Sequence, residues 1–224
     1  MLLYCASQSE PCTLEQGCTW LANTYGLKIK KQSLDGRFNM EAVVFAKEVL
    51  KEALERQLST IFETRFLPQF NRIRIKDGTR FNLSANLYKY YKGSGGNKDT
   101  SKSALCIQFE YDGLSGKILT LEITDGTRND HADAKETVSR VDMGDLIIRD
   151  LGYYSLPILS KFDTAKAFFI SRLGAKTNVY EWEKENEISF KKLYNDMVSK
   201  EKSCIEKEVH VGQKERMPLR LIIS

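Results

Sequence analysis

Twice in this chain an apolar strand pattern runs straight into an aspartate. The first case is Ile-Arg-Ile-Lys-Asp-Gly-Thr-Arg-Phe at 73–81; the second is Asp-Leu-Ile-Ile-Arg-Asp-Leu-Gly-Tyr-Tyr-Ser at 145–155. Ile73, Ile75 and Asp77 recur with period 2, and so do Leu146, Ile148 and Asp150, so each set shares one face of a strand. A carboxylate at the end of a buried strand is unfavourable unless a positive group meets it. Two of them on neighbouring strands form a natural site for a hard divalent cation such as Mg²⁺. Strands also end in Asp because turns favour it, and Asp77-Gly78 is a common turn dipeptide. The residues alone leave both readings open, and only the tertiary fold can bring Asp77 and Asp150 together.

Charge distribution bears on the choice. The net charge of +4 over 224 residues is mild, but between Arg72 and Ala104 eight basic residues face only Asp77 and Asp99, a local +6. Between Glu181 and Glu208 eight acids outnumber six lysines. Positive charge thus surrounds the first aspartate, as a polyphosphate-binding groove requires. No apolar run approaches the roughly 20 residues of a membrane helix, and the first residues are too short and lack the basic leader of a signal peptide. Five cysteines without a Cys-x-x-Cys pair, and only two histidines, argue against zinc and for reduced thiols in the cytoplasm. P-loop, nucleophile-elbow and His-Glu-x-x-His patterns are absent from the sequence.

The period of the pattern divides the chain. Thr13 and Gln16 form a capping box, followed by Leu14, Cys18, Leu21 and Ala22 on a helical stripe that ends near Gly26. A short segment begins at Ser33, and Asn39 caps a long helix running toward Phe66, with Pro68 as its stop. This order fits a helix-turn-helix unit or a plain helical bundle. From residue 72 strand patterns take over: 72–77, a hairpin of 105–111 and 117–124, a helix over 127–140 capped by Asn129 or Asp130, a strand at 146–150, a helix from Ser155 and a strand at 166–172. The expected fold is an α/β layer mixing parallel and antiparallel strands. The Gly-, Ser- and Lys-rich stretch at 88–103 reads as a mobile loop. After residue 176 charged residues dominate to about 208, and 209–212 and 219–223 read as two strands across a turn.

Other residues carry double readings. Asn129, Asp130, His131 and Asp133 suit either a metal or a helix cap. Tyr88, Tyr90 and Tyr91 with Lys89 and Lys92 suit either base stacking or packing of the loop base. Arg149 and Arg172 suit either phosphate contact or a structural ion pair. His210 on a strand reads as structural or exposed.

Four blocks carry a family resemblance. Ile-Lys-Asp-Gly-Thr-Arg-Phe-Asn-Leu-Ser (75–84), Cys-Ile-Gln-Phe-Glu-Tyr-Asp-Gly-Leu-Ser-Gly-Lys-Ile-Leu (106–119), Glu-Ile-Thr-Asp-Gly-Thr-Arg-Asn-Asp-His-Ala-Asp-Ala (122–134) and Gly-Asp-Leu-Ile-Ile-Arg-Asp-Leu-Gly-Tyr-Tyr-Ser (144–155) occur in order. The chain, from about residue 13 to its end, resembles bacterial insertion-sequence transposases of the DDE group (the insertion-sequence-four family). The resemblance implies a ribonuclease-H-like mixed sheet with flanking helices over 71–175, preceded by a helical, possibly DNA-binding region over 1–70 and followed from 176 to 224 by the start of a β-rich insertion domain. It implies strand cleavage and strand transfer at mobile-element ends by Mg²⁺- or Mn²⁺-dependent phosphoryl transfer. Asp77 and Asp150 match the first two catalytic, metal-binding acids. Arg80, Lys89, Lys92, Lys98 and Arg149 are the candidate contacts to double-stranded DNA. A homodimer during synapsis, work at the cytoplasmic nucleoid and no membrane association also follow from the resemblance.

One departure stands beside this. The third acid of such enzymes lies in a pattern Tyr-x2-Arg-x3-Glu-x6-Lys, but Tyr180 is followed by Glu183 at the arginine position and Tyr194 by Met197. The expectation is a fragment or truncated frame that holds two acids and is inactive alone. The alternative is a non-catalytic DNA-binding remnant, or a repurposed transposase acting through its N-terminal helices.

Overall fold

The computed structural model describes residues 12–57, 67–94, 102–182 and 186–224. The chain divides into two compact units, Met1–Gln57 and Leu58–Ser224. In the first, helix α1 (Leu14–Tyr25) begins with the expected capping box: the Thr13 side chain accepts from the Gln16 amide, and the Gln16 side chain accepts from the Thr13 amide. It ends where Gly26 takes a left-handed φ of 67°, a conformation that glycine adopts without a Cβ penalty. Helix α2 (Lys31–Asp35) starts two residues before the expected Ser33. Asn39 caps α3 (Met40–Gln57), its Oδ1 accepting from the Ala42 amide at 3.0 Å. The expected run of that helix to Phe66 lies outside the described residues.

The second unit carries two sheets. Strands β1 (Arg72–Leu83), β2 (Ser103–Asp112), β3 (Ile118–Asp125), β4 (Asp145–Arg149) and β5 (Phe168–Ile170) form a five-stranded sheet in the order β3-β2-β1-β4-β5. β1, β2 and β3 are antiparallel neighbours; β1, β4 and β5 run parallel. The Asp112–Lys117 turn closes the hairpin as expected. Its Asp112 carboxylate accepts from the Ile73, Leu114 and Ser115 amides, which satisfies an acid that is 4% exposed. Helices α4 (Asp130–Thr137) and α5 (Leu156–Thr164) flank the sheet. This is the mixed α/β architecture expected of a ribonuclease-H-like core.

Alternation along the strands separates two faces. On one, Ile147 joins Ala134 of α4 and Ile158, Leu159 and Phe162 of α5 in the largest apolar cluster. On the other, Ile73 and Leu146 are buried with Leu114, and Leu67, Phe70, Ile75 and Ile148 pack around them. Phe168 and Ile170, which pair with Leu146 and Ile148 and so share this second face, are 50% and 60% exposed.

The tail differs in part from expectation. Two strands are present, β7 (Ile205–Val211) and β8 (Met217–Ile223), but β6 (Val179–Glu181) joins β7 to give a three-stranded antiparallel sheet. Helix α6 (Phe190–Ser199), capped by Ser189, occupies the charged stretch for which no helix was expected. Leu193 of α6, together with Leu156 and Leu173, packs against the buried Val179, Ile188, Val209 and Val211. The spacing of Phe190, Leu193, Tyr194, Met197 and Val198 suits one helix face, but the lysines between them dilute the signal.

Candidate active site

The parallel register of β1 and β4 positions the two aspartates. Ile73 pairs with Leu146, Ile75 with Ile148 and Lys76 with Arg149. The register ends at that pair, and Asp77 and Asp150 are the next residues along the two chains. Neighbouring strands lie only about 5 Å apart. Both residues belong to the half-open face and both are exposed.

The two are nevertheless not both strand ends. β1 does not stop at Asp77, as the Asp-Gly dipeptide suggested, but continues to Leu83. Asp77 pairs with Phe109 and Gly78 with Gln108 in the antiparallel ladder with β2. That ladder supplies hydrogen-bond partners on one edge after β4 has left the other, so no turn is needed. The Asp77 carboxylate accepts from the Gly78 amide at 2.8 Å.

Asp150 directly follows β4 and opens a single 3₁₀ turn, Leu151–Tyr153. The backbone N–H of Leu151 and the guanidinium of Arg172 hold its carboxyl below the usual aspartate range. Arg172 follows β5 as Asp150 follows β4, and Asp77 comes just after the part of β1 that pairs with β4, so the three share one rim. This is where open α/β sheets place their ligands. Of the two roles open to Arg172, the ion pair is the one formed.

Beneath this rim the opposite face holds a buried ionic layer. Arg74, Lys76 and Arg149 are 2%, 2% and 8% exposed, and Glu110, Asp133 and Asp145 are fully buried. Glu110 receives Arg74 through two hydrogen bonds, 3.1 and 3.0 Å, and Arg149 at 3.2 Å. Lys76 pairs with Asp133, which Arg128 also reaches at 2.9 Å. Asp145 receives Arg72 at 2.8 and 2.7 Å and Arg74 at 3.3 Å. Burial pushes the Glu110, Asp133 and Asp145 carboxyls up, but their arginine and lysine partners outweigh it and hold all three below the ordinary range. Burial lowers the Lys76 ammonium despite Asp133.

This layer corrects two readings. Arg149 was a candidate DNA contact, yet it is enclosed by Glu110 and the rings of Tyr153 and Phe162 and faces the core. Arg74 and Lys76, counted in the positive groove, are neutralised inside. The exposed part of that charge is Arg80, Lys89, Lys92 and Lys102; Lys98 lies outside the described residues. The 88–103 stretch is joined at its base, where Lys92 bridges Ser103 and the Ser103 hydroxyl donates to the Tyr91 carbonyl at 2.7 Å. Residues 95–101 of the expected mobile loop lie outside the described residues.

Asn129 is the cap of α4, accepting from the Ala132 amide at 2.8 Å. His210 stacks on Trp182 with centroids 4.5 Å apart. Among the described residues no group of three or more His, Cys, Asp or Glu side chains is arranged to hold a metal. The rim therefore offers two carboxylates. That donor set fits Mg²⁺, which commonly binds through one or two carboxylates and completes its shell with water and phosphate oxygens.

Sequence reasoning missed the residues behind the rim. Gln108, 0% exposed, accepts from the Tyr153 hydroxyl at 2.7 Å and donates to Asp130 at 3.4 Å. A polar Gln at a buried strand position was the available signal.

Comparison with known proteins shows the family. Residues 68–219 match the family described as the transposase DDE domain. The chain is 37% identical over 165 residues to the transposase for insertion sequence element IS231F of Bacillus thuringiensis subsp. israelensis, covering 73% of this chain and 34% of that protein. It is 38% identical over 168 residues to the IS231E transposase of Bacillus thuringiensis subsp. finitimus, with the same two coverages. To the IS1151 transposase of Clostridium perfringens it is 32% identical over 158 residues, 70% of this chain and 33% of the relative. The chain thus spans about a third of the length of the curated relatives it matches. With a match across most of its length, and the blocks of the sequence falling on one sheet and one rim, the chain belongs to the DDE transposases of bacterial insertion sequences.

Proposed function

We propose that this chain supplies the first two acids of a centre that cleaves DNA at mobile-element ends and transfers the freed strands to target DNA by phosphoryl transfer. One observation supports the reading: Asp77 and Asp150 directly follow the last pair, Lys76–Arg149, of the parallel register between β1 and β4. In this reading they hold Mg²⁺ or Mn²⁺, which when bound would polarise the phosphoryl oxygens and activate the attacking oxygen. Arg172 pairs with the Asp150 carboxylate and would have to give way when a cation binds there. Arg80, Lys89, Lys92 and Lys98 meet the DNA backbone. Residues 71–175 act as the core, 1–70 as a helical region that contacts element-end DNA, and 176–224 as part of a β-rich insertion. A homodimer forms at synapsis, and the work takes place on cytoplasmic nucleoid DNA. Among the described residues no helix is long and apolar enough to cross a membrane.

The Tyr-x2-Arg-x3-Glu-x6-Lys pattern does not occur after Asp150, so in this reading the 224-residue chain binds Mn²⁺ but does not nick DNA. The test is Mn²⁺ titration of the purified chain, followed by electron paramagnetic resonance, beside Asp77→Asn and Asp150→Asn. Each substitution is expected to abolish binding with the fold retained. Binding unchanged by both would overturn the reading. Metal-dependent nicking that Asp77→Ala abolishes would overturn the claim of inactivity.

A further inference from the structure

Two glycines flank the candidate pair, and one carboxylate lies against both. Gly78 follows Asp77 directly. A Cβ built there would stand 3.0 Å from Asp130 Oδ1, 2.8 Å from Gln108 Nε2 and 3.2 Å from the Tyr153 hydroxyl. Gly152 lies two residues after Asp150, and a Cβ there would stand 2.5 Å from Asp130 Oδ2 and 3.3 Å from its Cβ and Cγ. Neither glycine has the positive φ that would itself require glycine. Close approach to Asp130 is the feature they share.

Asp130 is itself held. It is the first residue of α4, whose Asn129 cap fixes the helix start. Gln108 on β2 donates to its carboxylate and accepts from Tyr153, which is 3% exposed. Tyr153 closes the 3₁₀ turn that Asp150 opens. One side chain thus fills the space a Cβ would need at a glycine following each aspartate, and the buried Gln108 amide donates to it. Shells of this kind set the precision of a ligand pair, and their loss typically lowers metal affinity about 10–100-fold.

We infer that Asp130 is a positioning residue that brackets the Asp77 and Asp150 segments against each other through Gly78, Gly152 and the Gln108–Tyr153 pair. Its link to metal binding rests on the function proposed above; the bracket itself does not. Asp130 acts on the backbone that carries the two ligands.

The test uses amide hydrogen exchange on the 224-residue chain with Asp130→Ala, Gly152→Ala and the double variant. Asp130→Ala is expected to speed exchange at both Gly78 and Leu151–Tyr153 by about tenfold or more, with the other strands protected as in the parent. Gly152→Ala must displace the carboxylate, so it is expected to speed exchange at the distant Gly78. In the Asp130→Ala background the added Gly152→Ala should change Gly78 little, because the obstacle is gone. Exchange at Gly78 that Gly152→Ala leaves unaltered overturns the bracket, as does a full, additive effect in the double variant. Should Asp130→Ala fail to fold, the Gly152→Ala response at Gly78 decides alone.

Mn²⁺ titration separates the two proposals. If Asp77→Asn abolishes binding, Asp130→Ala should weaken it about tenfold, and an unchanged affinity would refute positioning of the ligands. If Asp77→Asn changes nothing, the metal reading fails while the exchange data still judge the bracket.

Discussion

The two faces of the five-stranded sheet invert the usual division of labour. The face covered by α4 and α5 is the better buried, yet it holds Arg74, Lys76, Arg149, Glu110, Asp133 and Asp145. The face bearing Asp77 and Asp150 is built on Ile73, Ile75, Leu146 and Ile148, yet Phe168 and Ile170 at its side remain half exposed or more. The buried charges are matched three against three, and each acid meets at least one cation. A buried pair of this kind adds little net stability, but removal of one partner strands the other in a low-dielectric interior. The contrast teaches that the rigid support of the rim is ionic, while the rim itself stays open to solvent and ligand.

Glu110→Gln strikes the covered face hardest. It leaves Arg149 without its carboxylate and Arg74 with only Asp145 at 3.3 Å, and the expected loss is about 3–5 kcal/mol in a urea unfolding experiment. A loss under about 1 kcal/mol would break the contrast between the faces.

Acid should unfold the protein through the same layer. The folded-state pKa values of Glu110, Asp133 and Asp145 lie below their ordinary values near 4, so the unfolded chain binds more protons in that window. Their contribution is fully present above the ordinary values and is lost as pH falls through the depressed ones. The urea midpoint should therefore hold steady from about pH 7 to 5 and fall steeply below about pH 4. A midpoint that stays level into strong acid would contradict the network.

Ile75→Ala on the half-open face removes partly buried methyl groups. It should lower stability by only about 1–2 kcal/mol, which a thermal melt can rank against Glu110→Gln.

Arg172→Gln is the mildest change. The ion pair with Asp150 is exposed on both sides, so the melting midpoint should not move. Mn²⁺ affinity should rise, because the cation no longer competes with Arg172 for the carboxylate. Weaker Mn²⁺ binding in this variant would show that Arg172 supports the site instead of masking it.

How far these faces could be read in advance differed from strand to strand. Period-2 alternation gave Ile73, Ile75 and Asp77 one face and Leu146, Ile148 and Asp150 another, and the β1–β4 register joins the two sets as one. In β2, however, the apolar Leu105, Ile107, Phe109 and Tyr111 point to the half-open face, while Cys106, Gln108, Glu110 and Asp112 are buried. Hydrophobicity alone would turn that strand over. What fixes it is charge: Glu110, opposite Lys76 in the ladder, meets Arg74 and Arg149 on the buried face. The end of β1 was misread for a related reason. Asp-Gly is a good turn pair by local propensity, but the β2 ladder gave its backbone partners and carried the strand on to Leu83.

The amino-acid sequence by itself determined the helix caps at Thr13 and Asn39, the Asp112–Lys117 turn, the order of strands and helices through the core and an aspartate on each of two apolar strand patterns. These depend on residues a few positions apart, or on blocks whose order is preserved along the chain. Only the tertiary structure decided that Arg149 faces inward, that Arg172 meets Asp150 and that Asp130 lies against both Gly78 and Gly152. Each of those depends on contacts between residues 20 or more positions apart, which form only once the chain has folded and which neither periodicity nor composition encodes.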